Sequence, residues 1–345
     1  MGLNIREIIP RKEIEISDLK GKTICVDAFN TLYQFLSSIR QVDGTPLMDR
    51  KKRVTSHLSG IFYRNIALLE DGIKLVYVFD GIPPASKFRT FRKREEGRDI
   101  AKERYETARS EEDLEAMKRY SSQLIRLNDE MIRESKELLE AMGVAIIQAP
   151  GEGEAQAAHL AKRGGIFAAA SQDYDSLLFA APKLIRNLTL AKKRKTISGW
   201  VEVRPELIEL ESVLNSLEIN LDQLICLGIL VGTDYNPRGV PGIGQKKALQ
   251  IVKRYKQPVL IFKSLEEQIM SLPEEDRFEW KEIFELFHKP NVSNNFFKFG
   301  KINEKKIRQI LVQEHDFSDD RVQKQLERLR EITEKSKQKG LDKWF

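Results

Sequence analysis

Two pairs of carboxylates stand out in Pro150–Phe179, PGEGEAQAAHLAKRGGIFAAASQDYDSLLF: Glu152 with Glu154, and Asp173 with Asp175, each pair separated by one residue. Each pair follows an apolar, strand-like run, Val144–Ile147 before the first and Ile166–Ala170 before the second. In extended chain, residues two apart project to the same side, so each pair is expected to aim both carboxylates into one cleft. Two carboxylates about 4 Å apart at an effective dielectric near 20 repel by roughly 4 kcal/mol, so such a group must take up protons or recruit cations. Magnesium suits the purpose: it takes hard oxygen ligands, keeps several waters and is shared between a few carboxylates and substrate phosphates. Two solvated acidic turns are the competing reading of this stretch taken alone.

The elements that must position these acids are read from the rest of the chain. Thr23–Val26 ends on Asp27, and Leu75–Phe79 ends on Asp80. Both are continuous apolar runs without alternation, as strands buried on both faces of a parallel sheet are. Helical pattern separates them, for example over Val54–Leu69. Four strand candidates are thus followed within a few residues by acids, and in open α/β sheets the ligand site lies beyond the carboxyl ends of the strands. Asp27, Asp80, Glu152, Glu154, Asp173 and Asp175 are therefore expected to converge. Leu184–Leu190 reads as continued sheet, and Leu221–Gly232 as a helix that delivers Asp234 in GTDYN. The expected fold class is α/β, with a mixed, largely parallel central sheet flanked by helices.

The chain has 345 residues, 41% hydrophobic and 32% charged, with a net charge of +6. That length can bury a large core, and the basic excess, present despite the acid clusters, points to a polyanionic partner. The two cysteines, Cys25 and Cys226, lie in a strand-like and a helix-like run and read as buried reduced thiols of an intracellular protein. No zinc spacing exists among two cysteines and four histidines. The N-terminus lacks an apolar signal core, and the longest apolar stretch, near Leu224–Val231, is far short of a bilayer span. A soluble protein with no membrane partner is expected.

An insertion without strand pattern runs from Pro84 to Met142. Ala85–Arg104 carries eight basic and four acidic residues, with Phe88 and Phe91 set among Lys87, Arg89, Arg92, Lys93 and Arg94. It reads as a basic helical segment, and Ser110–Met142 as a helix that packs; a charged hairpin serving only as a lid is the alternative. Lys183–Lys195 and Pro237–Lys256 each hold six basic residues and no acid. In the latter, Gly239, Gly242 and Gly244 precede a helix beginning with Lys246 and Lys247. No G-x-x-x-x-G-K-[ST] occurs and the turn does not follow a strand, which excludes a P-loop and a dinucleotide fingerprint. It reads instead as a helix-hairpin-helix element over residues 221–260, whose backbone N–H groups at a helix N-terminus hold a DNA phosphate. One domain, residues 1–330, is followed by a polar, flexible tail, 331–345, ending in Trp344 and Phe345, two aromatics unfavourable without a partner.

The segments VDAFNTLYQF, VYVFDGIPP, APGEGEAQAAHLAKRG, ASQDYDSLLF, GILVGTDYN and GVPGIGQKKAL, in that order, resemble the flap endonucleases of the structure-specific 5′-nuclease superfamily. By that resemblance Asp27, Asp80, Glu152 and Glu154 would hold one Mg²⁺ and Asp173, Asp175 and Asp234 a second, with Mn²⁺ as the alternative metal. The pair would activate water for in-line attack on a phosphodiester and stabilise the leaving oxygen. Lys87 and Arg94 match the family's arch residues, which polarise the scissile phosphate, and Tyr33 an aromatic on which a base is stacked. The resemblance also implies a helical arch, here about Pro84–Ser135, around the 5′ single strand, a hairpin, matching Gly239–Lys247, gripping duplex backbone with a potassium ion, and branched DNA with a 5′ flap as substrate. Endonuclease activity with a 5′–3′ exonuclease activity, in lagging-strand maturation and repair, follows. Gln338, Leu341, Trp344 and Phe345 match a box that binds a PCNA-type sliding clamp. A monomer is expected. The chain stops on its second aromatic where eukaryal relatives add a basic extension, an ending similar to archaeal members and a cytoplasmic rather than nuclear address.

Three alternatives are weighed. A relative preferring bubbles, gaps or four-way junctions would share the chemistry. An aspartate-based phosphatase is suggested by D-A-F-N-T after Val26, but Phe29 stands where the second aspartate of D-x-D-x-T is needed. A non-catalytic DNA-binding clamp partner would need a missing acid, and none is missing.

Overall fold

Along the strand Lys74–Phe79 the side chains divide between two cores: Val76 and Val78 enter one, Leu75, Tyr77 and Phe79 the other, and all five are buried. That is why the run shows no polar alternation: the sheet is covered on both faces. The structure is a computed structural model that describes residues 3–41, 43–121, 123–190, 193–196 and 199–341. Its strands are β1 (Lys12–Glu13), β2 (Thr23–Asp27), β3 (Lys74–Phe79), β4 (Ala145–Gln148), β5 (Ala168–Ala170), β6 (Lys183–Arg186), β7 (Lys193–Thr196), β8 (Gly199–Glu202) and β9 (Glu206–Glu209). Seven form one sheet in the order β1-β9-β6-β5-β2-β3-β4. The five from β6 to β4 are parallel, and β9 and β1 close one edge antiparallel. The hairpin of β7 and β8 stands apart. The sheet grows from β2 through β3 to β4 on one side and through β5 to β6 on the other. The direction of winding reverses between β2 and β5, the place where such sheets open a crevice.

Fifteen helices surround the sheet among the described residues: α1 (Ala28–Ser38), α2 (Ser56–Glu70), α3 (Phe88–Ser110), α4 (Leu114–Ser121), α5 (Asp129–Ala141), α6 (Gly153–Lys162), α7 (Asp175–Leu178), α8 (Leu210–Leu217), α9 (Leu221–Val231), α10 (Gln245–Tyr255), α11 (Pro258–Lys263), α12 (Glu266–Met270), α13 (Trp280–His288), α14 (Glu304–Arg308) and α15 (Asp319–Leu341). One face is covered by α1, α2, α5 and α15 and the other by α6, α7, α9, α10 and α13. The mixed, largely parallel α/β class read from the sequence is the observed one. Cys25 and Cys226 are buried free thiols. Among the described residues no single helix is long and apolar enough to cross a membrane.

Three local readings change. The stretch after Ser110 is two helices, α4 and α5, because Asn128 starts α5 afresh by accepting the Met131 N–H at 2.8 Å. The strand β6 ends at Arg186, where Asn187 turns left-handed at φ 62°, short of the expected Leu190. The last helix runs to Leu341, into the stretch read as a flexible tail from Glu331.

A polar network joins α2, α5 and two loops. His315 Nε2 lies 3.0 Å from Glu134 Oε1 and its Nδ1 3.2 Å from Asp49 Oδ2, while Arg53 pairs with Asp49 at 2.8 Å and His57 Nε2 lies 3.4 Å from Glu134. Burial works to lower His315, but Glu134 and Asp49 outweigh it and hold the imidazole above its ordinary value. Burial dominates at the fully buried His57 and lowers it. Glu134 is held down to about 2 by both histidines despite burial. The raised His315 contributes stability that is complete below its ordinary pKa of about 6.5 and fades as pH rises through the folded value; the lowered His57 costs stability as pH falls below about 6.5. The glutamate adds a loss only as pH falls below its ordinary value toward about 2. Stability from this network is therefore expected to peak near about pH 6.5, with Tm falling on the order of a few °C on either side. In a Tm-versus-pH series, His315→Gln should flatten the alkaline limb and also lessen the acid loss that Glu134 contributes, keeping the part due to His57. An alkaline limb as steep as in the parent would contradict the assignment.

Candidate active site

The carboxyl end of β2 sets the first acid. Asp27 closes that strand and caps α1, its Oδ1 accepting the Asn30 N–H at 3.1 Å. Across the winding reversal Ser171, directly after β5, donates its hydroxyl to Glu154 Oε1 at 2.9 Å and to Asp27 Oδ2 at 3.3 Å. The Asn30 side chain donates to Asp173 Oδ2 at 3.2 Å and accepts the Gln172 N–H at 3.1 Å. Asp80, one residue past β3, accepts the Gly153 N–H at 2.7 Å. A Cβ at Gly153 would stand 2.6 Å from that carboxylate oxygen, so a larger residue there would displace the Asp80 carboxylate from this position.

The remaining acids arrive from helix boundaries. Glu152 caps α6 and accepts from the Tyr235 hydroxyl, Asp175 opens α7 and accepts the Leu3 N–H at 3.3 Å, and Asp234 lies in the turn after α9. That turn depends on Gly232, at φ 115°, where a Cβ would meet the backbone of residues 236–239 at 3.0–3.2 Å. All seven sequence candidates thus surround one site. The reason differs from the extended-chain expectation: Glu152 has extended backbone, but Glu154 sits in the first turn of α6 and Asp175 begins α7. The chain turning into helix, rather than strand pleat, brings each pair together.

The cluster is short of positive charge. Burial first, then Asp80, push Asp27 up to about 7, against the Asn30 N–H and Lys87. Burial and neighbouring acids push Glu154 and Asp175 well above the usual carboxylate range. Asp80 and Asp173 are raised as well, burial leading in both. At Asp234 burial works upward, yet Lys87 and Arg94 outweigh it and hold that carboxyl low. These two cations come from the first turns of the arch: Lys87 pairs with Glu152 and lies 3.1 Å from Asp234, and Arg94 lies 2.8 Å from Asp234. Burial disfavours the Lys87 charge, but Glu152 and Asp234 hold the ammonium above its ordinary value.

Among the described residues no three donors are drawn together around one point; the Lys87 ammonium lies between Glu152 and Asp234 instead. Seven hard oxygen donors gathered at one place, five of them (Asp27, Asp80, Glu154, Asp173 and Asp175) resisting ionisation while two cations stand beside the group, fit divalent ions of the Mg²⁺ kind. Asp27 and Asp175 are buried, and the other five are within reach of solvent.

The remaining sequence candidates lie around this centre or apart from it. Tyr33 is 39% exposed on α1, the helix capped by Asp27. Gly239 takes φ 55° because a Cβ there would meet the Leu230 carbonyl at 2.5 Å. Gly242 and Gly244 leave open space at the start of α10, with Gly244 as its cap. Lys247 is exposed and donates to the Gly242 carbonyl at 3.5 Å, and the exposed Lys246 lies 3.6 Å from Glu7. Gln338 and Leu341 fall on α15, whereas Trp344 and Phe345 lie outside the described residues. Sequence reasoning missed Asn30, Ser171 and Tyr235. Asn30 and Tyr235 sit inside recognisable segments, yet each acts on a partner 80 or more positions away, for which local pattern gives no signal.

Comparison with known proteins agrees with this geometry. Residues 4–101 match the XPG N-terminal domain and residues 143–234 the XPG I-region. Flap endonuclease 1 of Pyrococcus furiosus is 50% identical over 348 residues, covering 100% of this chain and 99% of that protein. The flap endonuclease-1 structure from Methanococcus jannaschii superposes with a TM-score of 0.76 at 39% identity, covering 97% of this chain and 100% of that one. The catalytic core of Rad2 in complex with DNA substrate shares the fold, with a TM-score of 0.67 at 22% identity over 92% of this chain and 96% of that one.

Proposed function

The chain belongs to the flap endonuclease family, and from that premise we propose that it hydrolyses a DNA phosphodiester near the base of a 5′ flap. The observation that carries the reading is the meeting of seven acids with Lys87 and Arg94 at the foot of the arch helix. Asp27, Asp80, Glu152 and Glu154 would hold one Mg²⁺ and Asp173, Asp175 and Asp234 a second, with Mn²⁺ as a substitute. Such ions supply Lewis-acid neutralisation of phosphate charge and a lowered pKa for attacking water.

The chain's own side chains do the rest. Ser171 and Asn30 fix the orientation of Glu154, Asp27 and Asp173, and Tyr235 fixes Glu152. Lys87 and Arg94, now resting on carboxylates, are the groups that transfer to the scissile phosphate, where fixed positive charge stabilises the developing negative charge. Tyr33 offers an exposed ring to a base next to the cut, and Gly239–Lys247 offers backbone N–H groups and lysines to duplex phosphates, with K⁺ at the hairpin. The reading extends to 5′–3′ exonuclease action, to Okazaki-fragment maturation and repair, and to a monomer working in the cytoplasm.

An end-labelled 5′-flap duplex incubated with Mg²⁺ or with EDTA tests it, read as product length. Cutting near the junction only with metal is expected, and better cutting of matched bubbles or four-way junctions would overturn the flap preference. The tail residues Gln338, Leu341, Trp344 and Phe345 would dock on a PCNA-type sliding clamp, with Leu341, Trp344 and Phe345 as the apolar plugs. Deleting Gln338–Phe345 is expected to abolish stimulation by the clamp and leave intrinsic cutting within about twofold, since the deletion is remote from the acids. Equal stimulation of both proteins would remove the clamp assignment.

A further inference from the structure

The start of α3, with Lys87 as its cap residue, carries more than Lys87 and Arg94. The buried Thr90 donates its hydroxyl to the Asp234 carbonyl, and Lys93, next to Arg94, pairs with Asp276. Arg238 Nη1 lies 2.5 Å from the second oxygen of the same carboxylate, an ion pair without hydrogen-bond geometry. Asp276 belongs to neither the arch nor the hairpin. It ends the 3-10 turn Glu274–Asp276 between α12 and α13, with its side chain only 3% exposed. Arg238 immediately precedes Gly239, the first glycine of the hairpin turn, and its side chain is 61% exposed. A small cleft of about 20 Å³ lined by Lys93, Tyr235, Arg238, Gly239, Asp276 and Phe278 opens beside these groups. A shared carboxylate thus spans the interval where the arch helix passes the hairpin turn.

We propose that Asp276 is a positioning residue that ties the base of the arch helix to the hairpin turn, so that duplex DNA held at the hairpin sets the placement of Lys87 and Arg94. The idea rests on the reading of those two cations as groups acting on the scissile phosphate. Arg238 keeps an exposed edge for a duplex phosphate while ion-paired with Asp276, because a guanidinium presents several donors in a fixed fork. Lys93 completes the link one residue from Arg94. A catalytic cation misplaced by about 1 Å costs on the order of a hundredfold in rate, so a loosened link is read as lost turnover rather than lost binding.

The test compares the full-length protein with Asp276→Ala, Asp276→Glu, Lys93→Asp and the exchanged pair Lys93→Asp/Asp276→Lys. Single-turnover cleavage of a 5′-flap duplex in Mg²⁺ is expected to fall at least about tenfold in Asp276→Ala with the Kd in EDTA changed less than about threefold. Glu should recover most of the rate, and the exchanged pair should exceed Lys93→Asp alone. A second measurement is independent of cutting: amide hydrogen exchange over residues 88–98 should slow when flap-free duplex is added to the parent protein and not slow in Asp276→Ala. Parental cleavage in Asp276→Ala, equal losses of rate and binding, or slowed exchange in that variant would each overturn the proposal. If the parent protein leaves flaps uncut, the flap reading fails and the exchange measurement still decides the link.

Discussion

Asp175→Asn is expected to stop cleavage and yet raise the melting temperature of the metal-free protein. Burial and the neighbouring Asp234 and Asp173 push the Asp175 carboxyl well above its usual range, so its charge is a burden on the folded state. Asparagine has nearly the same shape and keeps an oxygen for the Leu3 N–H, but carries no charge to repel Asp173 or Glu154. By linkage, a carboxyl raised on folding loses stability as pH climbs past its ordinary value near 4, so the gain from the amide should be largest at neutral pH and vanish in acid. A Tm increase on the order of a few °C at pH 7.5 in EDTA is expected, fading below about pH 4. Catalysis goes the other way. Electrostatic support of the transition state by a metal site is worth several kcal/mol, so the single-turnover rate should fall at least about a thousandfold. Flap affinity in EDTA should stay within about threefold, because grip on duplex is by phosphate contacts elsewhere. Efficient cutting by this variant in Mg²⁺ would sink the placement of Asp175 among the metal-holding acids. A lower Tm would sink the account of its charge.

How far the site was legible depends on what kind of signal each residue leaves. Asp27 and Asp80 were readable because Thr23–Val26 and Leu75–Phe79 are apolar on both faces, a pattern that forces burial and so marks where the strands stop. The spacing of Glu152/Glu154 and Asp173/Asp175 gave the right convergence through the wrong geometry, since a period of two looks the same whether the chain stays extended or turns into a helix. The arch's division into α3, α4 and α5 is set by Glu112 at φ 56° with Asp113 capping α4, and by Asn128 capping α5, none of which composition reveals. The run of α15 into the polar stretch after Arg330 follows from packing: Leu329 is buried and Ile332 joins the same core, which carries the helix onward despite a weakly apolar sequence. Ser171, Asn30, Tyr235 and Asp276 could not be found by any local rule. Each is an ordinary polar side chain whose contact exists only once a partner 80 to 190 positions away, Asp27 in the case of Ser171, has been brought against it.

Lys87 presents the sharpest separation between two roles, because the same ammonium both balances the acids and stands ready for the phosphate. Replacing it with Met keeps the length of the side chain and removes the charge that holds Asp234 low and opposes the upward push on Asp80 and Glu154. The metal-free protein should therefore melt lower than the parent, the reverse of Asp175→Asn, and the difference should narrow as Mg²⁺ is added. A cation bound only by the folded state stabilises it by RT ln(1 + [L]/Kd). Without an ammonium lying between Glu152 and Asp234, the acids should also bind Mg²⁺ about tenfold or more tightly, since a fixed like charge within a few Å costs at least about 1.4 kcal/mol at protein-like dielectric. If Lys87 were only a counter-ion, tighter metal binding would leave cleavage at saturating Mg²⁺ intact or faster. As a group that polarises the scissile phosphate it predicts the opposite, a fall of about a hundredfold to a thousandfold, the scale of one lost preorganised contact to developing charge. Calorimetric titration with Mg²⁺ beside single-turnover cleavage of the flap duplex separates the two: tighter metal with slower cutting assigns Lys87 to the phosphate, and tighter metal with undiminished cutting leaves it a stand-in for the ions.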